Sequence, residues 1–113
     1  MGVGSRRSAE REAPPAPQPL SPLVDSHTHL DACGAVDADG VRAILDRAGA
    51  VGVQAVVTVA DDLDSARWVT RAADWDSRVY AAVALHPTRA DALTDAARAE
   101  IERLAAHPRV VAI

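Results

Sequence analysis

Leu23-Val24-Asp25-Ser26-His27-Thr28-His29-Leu30-Asp31 is the stretch on which the fold reading turns. Leu23 to Thr28 reads as a short strand. Side chains alternate faces along a strand, so Asp25, His27 and His29 point the same way. Two imidazoles converging at the end of a strand can form half of a metal site, with nitrogens about 2.0–2.1 Å from a zinc ion. Asp25 is expected one layer below the histidines, and Asp31 either orients a ligand histidine or serves as a turn carboxylate.

Downstream the chain alternates helix and strand. Val41, Ile44, Leu45 and Ala48 have the spacing of a helix that buries one face, with Asp37 or Asp39 as its cap and Gly52 as its stop. Ala55-Val56-Val57-Thr58-Val59 is an unbroken run typical of a parallel strand covered on both faces. Asp61 or Asp62 caps a second helix through Leu63, Ala66, Val69 and Ala73. Val79 to Leu85 reads as a third strand. Thr94 caps a third helix in which Leu93, Ala97, Ile101 and Leu104 share a face, and Val110 to Ile113 opens a fourth strand. This strict alternation predicts a parallel sheet with right-handed crossovers.

Periodicity alone leaves two α/β architectures open, a doubly wound sheet and a (β/α)8 barrel. The first strand–helix turn has no Gly-x-Gly-x-x-Gly, which argues against a dinucleotide-binding sheet. The histidine pair at the carboxyl end of the first strand favours the barrel, whose chemistry sits on that face. A whole barrel takes about 250 residues, so a chain of 113 is expected to form an incomplete (β/α)8 TIM-type barrel of about three and a half βα units. The unpaired edge of such a sheet is an aggregation hazard, so low solubility is expected.

Residues 1–22 differ in composition from everything after them. Five of the seven prolines fall between Pro14 and Pro22, and the segment is expected to be a disordered tail, with residues 23–113 as the barrel portion. Arg6-Arg7 lacks the hydrophobic stretch that would make it an export signal. The net charge is −4, and every basic residue is Arg. That balance excludes a protein held on DNA mainly by a basic stripe. The single Cys33 excludes an intrachain disulfide, which suits the cytoplasm, and no apolar run is long enough for a membrane span. Cys33 reads as a small apolar filler, and Trp68 and Trp75 as packing residues.

Ala84-Leu85-His86-Pro87-Thr88-Arg89 puts another histidine at the same carboxyl edge. His86 can contact a substrate phosphate or hold a water. Arg89 can grip phosphate through two hydrogen bonds, against the alternative of a solvated loop arginine. His107 lies at the opposite end of the sheet and is left out of the site.

Val24-Asp25-Ser26-His27-Thr28-His29-Leu30-Asp31 resembles the opening motif of the TatD family of metal-dependent hydrolases. Gly52 to Val59 is similar to that family's second strand, Ala84-Leu85-His86-Pro87 to its Gly-x-His-Pro segment, and His107 to Ile113 to the approach to its Gly-Glu motif. The resemblance covers Leu23 to Ile113. It implies a barrel with two divalent metal ions, whose identity (zinc, manganese or magnesium) stays open. It also implies phosphodiester hydrolysis, commonly of DNA, with nucleic acid as the partner and no obligate protein partner. His27 and His29 would ligate one metal, and His86 would line the site. The family's remaining ligands, a Glu, two histidines and an Asp, have no counterpart here, and the chain is expected to be an inactive fragment by itself. Rival readings are an amidohydrolase or a histidinol-phosphatase-like (PHP-type) phosphoesterase. A further alternative is a noncatalytic chain acting only by association, two copies pairing as half-barrels around a shared metal.

Overall fold

The structure, a computed structural model, describes residues 12–113. The part of the proline-rich tail before residue 12 lies outside the described residues. Residues 12–22 form no regular element, and the Leu20 amide donates to the Val51 carbonyl at 3.0 Å.

Seven main elements alternate: β1 (Leu23–Thr28), α1 (Ala38–Gly49), β2 (Val53–Val59), α2 (Leu63–Trp75), β3 (Val79–Ala82), α3 (Asp95–Ala105) and β4 (Val110–Ala112). A short 3-10 helix, Pro87–Ala92, lies between β3 and α3. The sheet order is β1-β2-β3-β4 and every pairing is parallel. Each strand thus lies beside its sequence neighbour, as in a barrel, without the order reversal of a doubly wound sheet. The chain has an α/β fold with the topology of part of a TIM barrel.

The helices begin where their caps dictate. Asp37 caps α1 by accepting from the Gly40 amide, and Thr94 caps α3 by accepting from the Ala97 amide. Asp62 and Ser65 form a reciprocal capping box at the start of α2. The Ser65 amide and hydroxyl hold the Asp62 carboxyl below its usual range, opposed in part by burial, with Arg89 adding a smaller attraction.

The core fills one side of the sheet. Val41 and Leu45 of α1, Ala66, Val69, Ala72 and Ala73 of α2, and Leu104 of α3 pack with Val56, Val79, Ala81 and Val83. The run in β2 is therefore covered unequally. Val56, Thr58 and Ala60 are buried under the helices, while Ala55, Val57 and Val59 are half-buried. The expectation of cover on both faces is corrected here, because the packed core gathers on a single side.

Other sequence expectations shift in detail. Strand three stops at Ala82, although the Val83 amide still donates to the Ala112 carbonyl at 3.2 Å. Gly52 does not stop α1, which ends at Gly49; it serves the turn into β2 with φ +105°. A Cβ there would stand 2.6 Å from the Leu20 carbonyl oxygen, so the close approach requires glycine. Leu93 lies outside α3 and is 58% exposed, because Thr94 starts the helix after it. Cys33 is exposed and fills no core position, since it sits in the turn from β1 to α1. The tryptophans pack as expected, edge to face, with centroids 5.8 Å apart.

Ion pairs tie α1 to the turn between α2 and β3, and α2 to α3. Arg78 bonds Asp76 at 2.7 Å and Asp46 at 3.0 Å, and Glu100 receives Arg103 at 2.7 Å and Arg67 at 3.0 Å. The Arg78 hydrogen bond lowers the Asp76 carboxyl, and Arg103 and Arg67 bring Glu100 down to about 2. Carboxylates depressed in the folded state add stability above their unfolded values, and that contribution disappears as pH falls through the folded ones. Acid titration followed by circular dichroism is expected to show stability falling from about pH 4.5 toward about 2. Asp76→Asn should flatten part of that slope; an unchanged profile would show that Arg78 does not act through this carboxylate.

Candidate metal and phosphate site

The carboxyl end of β2 organises the site. Three groups there hold residues from neighbouring segments. The Val59 carbonyl lies 2.8 Å from His29 Nδ1. The Thr58 hydroxyl accepts from the Leu30 amide at 3.2 Å. The Asp61 carbonyl accepts from the His86 amide at 2.7 Å. One strand end therefore fixes both histidine segments.

The bond to Val59 settles the chemistry of His29. A carbonyl oxygen can only accept, so Nδ1 carries the proton. In the neutral ring Nε2 then keeps its lone pair, the form a metal needs. His27 has its ring centroid 5.2 Å from that of His29, at an interplanar angle of 67°. The two rings stand together as the strand alternation requires. His27 is exposed, and its amide donates to the Asp25 carboxylate at 3.1 Å. Asp25 is itself exposed, not sunk in a layer beneath the pair, because β1 is an edge strand.

His86 has the opposite polarity. It caps the 3-10 helix, and its Nδ1 accepts from the Thr88 amide at 3.2 Å and lies 2.8 Å from the Thr88 hydroxyl. With Nδ1 accepting, the neutral ring carries its proton on Nε2 and presents a donor. His29 thus offers a lone pair and His86 offers an N–H. The two side chains suit a cation and an anion respectively.

Asp61, His86, Thr88 and Arg89 line a cavity of about 230 Å³. Arg89 is exposed and forms no ion pair among the described residues. Asp31 is turned to other work: its carboxylate accepts from the Ala32 amide at 2.9 Å, and it borders a groove with Ser65, Arg67, Trp68 and Arg71. His107 stands apart beside β4, bonded to Asp74 at 3.0 Å.

Two adjacent imidazoles fit a divalent ion as part of its donor set. Among the described residues no third His, Cys, Asp or Glu joins them. Thr58 and Asp61 escape a motif reading. Thr58 is the single hydroxyl in an aliphatic run, a detectable signal. Asp61 adjoins Asp62, and a cap reading cannot tell which of the two remains free.

Thr58→Val should leave the buried Leu30 amide without a partner. The expected cost is about 1–3 kcal/mol in urea unfolding, with Thr58→Ser close to the parent. Equal stability of the Val and Ser variants would remove the hydroxyl from the loop's support.

Parallel βα units in sequence order, with a histidine pair at the carboxyl end of the first strand, define an α/β protein with the topology of part of a TIM barrel. The sequence profile described as "TatD related DNase" matches residues 24–113. The chain belongs to the TatD family. It is 81% identical over 91 residues to an uncharacterized metal-dependent hydrolase, TatD, of Mycobacterium tuberculosis (strain ATCC 25618 / H37Rv), covering 80% of this chain and 34% of that protein. It is 36% identical over 94 residues to the uncharacterized metal-dependent hydrolase YabD of Bacillus subtilis (strain 168), covering 80% of this chain and 35% of that protein. The chain spans about a third of the length of these relatives.

Proposed function

We propose that this chain supplies the first metal-binding strand and a phosphate-binding loop of a metal-dependent phosphodiester hydrolase acting on DNA. The fixed tautomer of His29 carries the proposal, because it leaves the lone pair on Nε2 of a ring whose centroid lies 5.2 Å from that of His27. The family description and the relatives' names support the hydrolase class.

His27 and His29 would hold one divalent ion, which when bound supplies Lewis acidity toward phosphate oxygen and acidifies water. The remaining work falls to the chain's own groups. The Val59 carbonyl keeps the His29 ring oriented and Nδ1 protonated. His86 Nε2–H donates to a nonbridging phosphate oxygen. Arg89 neutralises phosphate charge through its planar donors. Asp31 acts as a turn carboxylate, accepting from the Ala32 amide. A cytoplasmic setting belongs to the same proposal and rests on the lone thiol of Cys33; among the described residues no helix is long and apolar enough to cross a membrane.

Nitrogen-15 spectra of the histidine rings during zinc titration test the metal reading. Nε2 of His29 should shift while its Nδ1 keeps its proton. Coordination through Nδ1, or binding at other residues, overturns it. Titration with a thymidine dinucleotide should move the Thr88 and Arg89 amides, and His86→Ala should weaken that response. With two protein donors against the usual three or more, the chain itself is expected to bind but not cleave DNA.

A further inference from the structure

We propose that Asp61 is a specificity-determining residue that accepts a hydrogen bond from a sugar hydroxyl adjoining the phosphate held by His86 and Arg89. The inference rests on the phosphate reading of that cavity and extends it to the neighbouring part of the substrate.

Asp61 follows β2 directly, at the carboxyl edge of the sheet. The ladder continues past the strand, since the Ala60 amide donates to the Ala82 carbonyl at 3.0 Å. Ala60 is 2% exposed on the helix-covered side. Asp61 therefore has the alternate parity, shared with Val57 and Val59, whose carbonyl holds His29. Its backbone is fully engaged: the amide donates to the Ser65 hydroxyl at 2.8 Å, and the carbonyl accepts from His86 at 2.7 Å. Its carboxylate, by contrast, makes no hydrogen bond or ion pair among the described residues. Asp62 does the capping, so Asp61 is not needed for the helix.

The cavity contains one anion, one cation and one neutral N–H donor: Asp61, Arg89 and His86. A bare phosphate would satisfy Arg89 and His86 but would meet Asp61 as a like charge. A ligand with a free hydroxyl beside its phosphate satisfies all three, and in a DNA strand only a terminal sugar carries one. At about 230 Å³ the cavity is smaller than the roughly 300–1,000 Å³ of a complete small-molecule site, so it suits one sugar-phosphate portion of a larger substrate. The donor class is a hydroxyl because a carboxylate accepts hydrogen bonds and the sugar beside a phosphate presents hydroxyl donors.

The test follows amide shifts in the full chain during titration with inorganic phosphate and with 2-deoxyribose 5-phosphate. The parent chain should bind the sugar phosphate on the order of tenfold tighter than phosphate, the worth of one hydrogen bond to a charged acceptor. Asp61→Ala should bring that ratio close to one, with phosphate binding unchanged or tighter once the like charge is gone. Asp61→Asn keeps an acceptor oxygen and should restore part of the preference. Arg89→Ala should weaken both probes together. If both probes bind at His86, Thr88 and Arg89 with a ratio that Asp61→Ala leaves intact, the role of Asp61 is overturned while the phosphate reading stands. If neither probe moves those residues, the phosphate reading fails and this inference fails with it. Unchanged amide spectra of the free variants confirm that the fold is retained.

Discussion

His29→Ala should lower the zinc affinity of the chain by more than the roughly 10–100-fold that loss of a supporting partner costs a metal site. His27→Ala should lower it less. The asymmetry follows from how the rings are held. The Val59 carbonyl sets the plane and tautomer of His29 before any ion arrives, whereas His27 stands exposed. An already oriented ligand loses less freedom on binding, so its removal forfeits more. Competition against a chromophoric chelator measures both variants, well below the denaturation midpoint because His29→Ala also breaks the bond to Val59. Equal losses, or none, would falsify the idea that preorganised His29 anchors the ion.

Leu45→Ala should be the most destabilising single truncation in α1. Leu45 is 0% exposed and belongs to the core that joins α1 to the sheet. Removing its branched end leaves a cavity the surrounding helices cannot close, at a cost of about 2–5 kcal/mol. Domains have about 0.05–0.15 kcal/mol of stability per residue, so the loss is a large fraction of the total. Urea unfolding should show a much lower midpoint with an unchanged slope. Leu45→Met, which conserves volume, should cost under about 1.5 kcal/mol. A Leu45→Ala midpoint equal to that of the Met variant would mean the helix is not held by this contact.

The site was legible wherever a short segment carries its own geometry. The side shared by His27 and His29 follows from strand alternation, and their rings do stand 5.2 Å apart. The cap at Thr94 follows from a side chain that reaches the amide three residues on, whereas the sequence leaves Asp37 and Asp39 open and the structure selects Asp37. The exposure of Cys33 and Leu93 is not legible locally, because it depends on what other segments cover. Cys33 sits in a turn that the core leaves outside, and Leu93 precedes α3, which starts after Thr94. Likewise Asp25 was expected in an interior layer, but an edge strand leaves it exposed.

The amino-acid order alone settles the alternation of strands and helices and the paired imidazoles, because each depends on periodicities a few residues long, and the parallel sense follows from that alternation. Folding in three dimensions alone decides which nitrogen of each ring is free. Val59 lies 30 residues from His29, and only the pairing of β1 with β2 brings its carbonyl to that ring. The pairing of β2 with β3 sets Asp61 against His86, with Arg89 beside them in one cavity. Hydrogen bonds between distant segments assign protons and charges that no local pattern encodes.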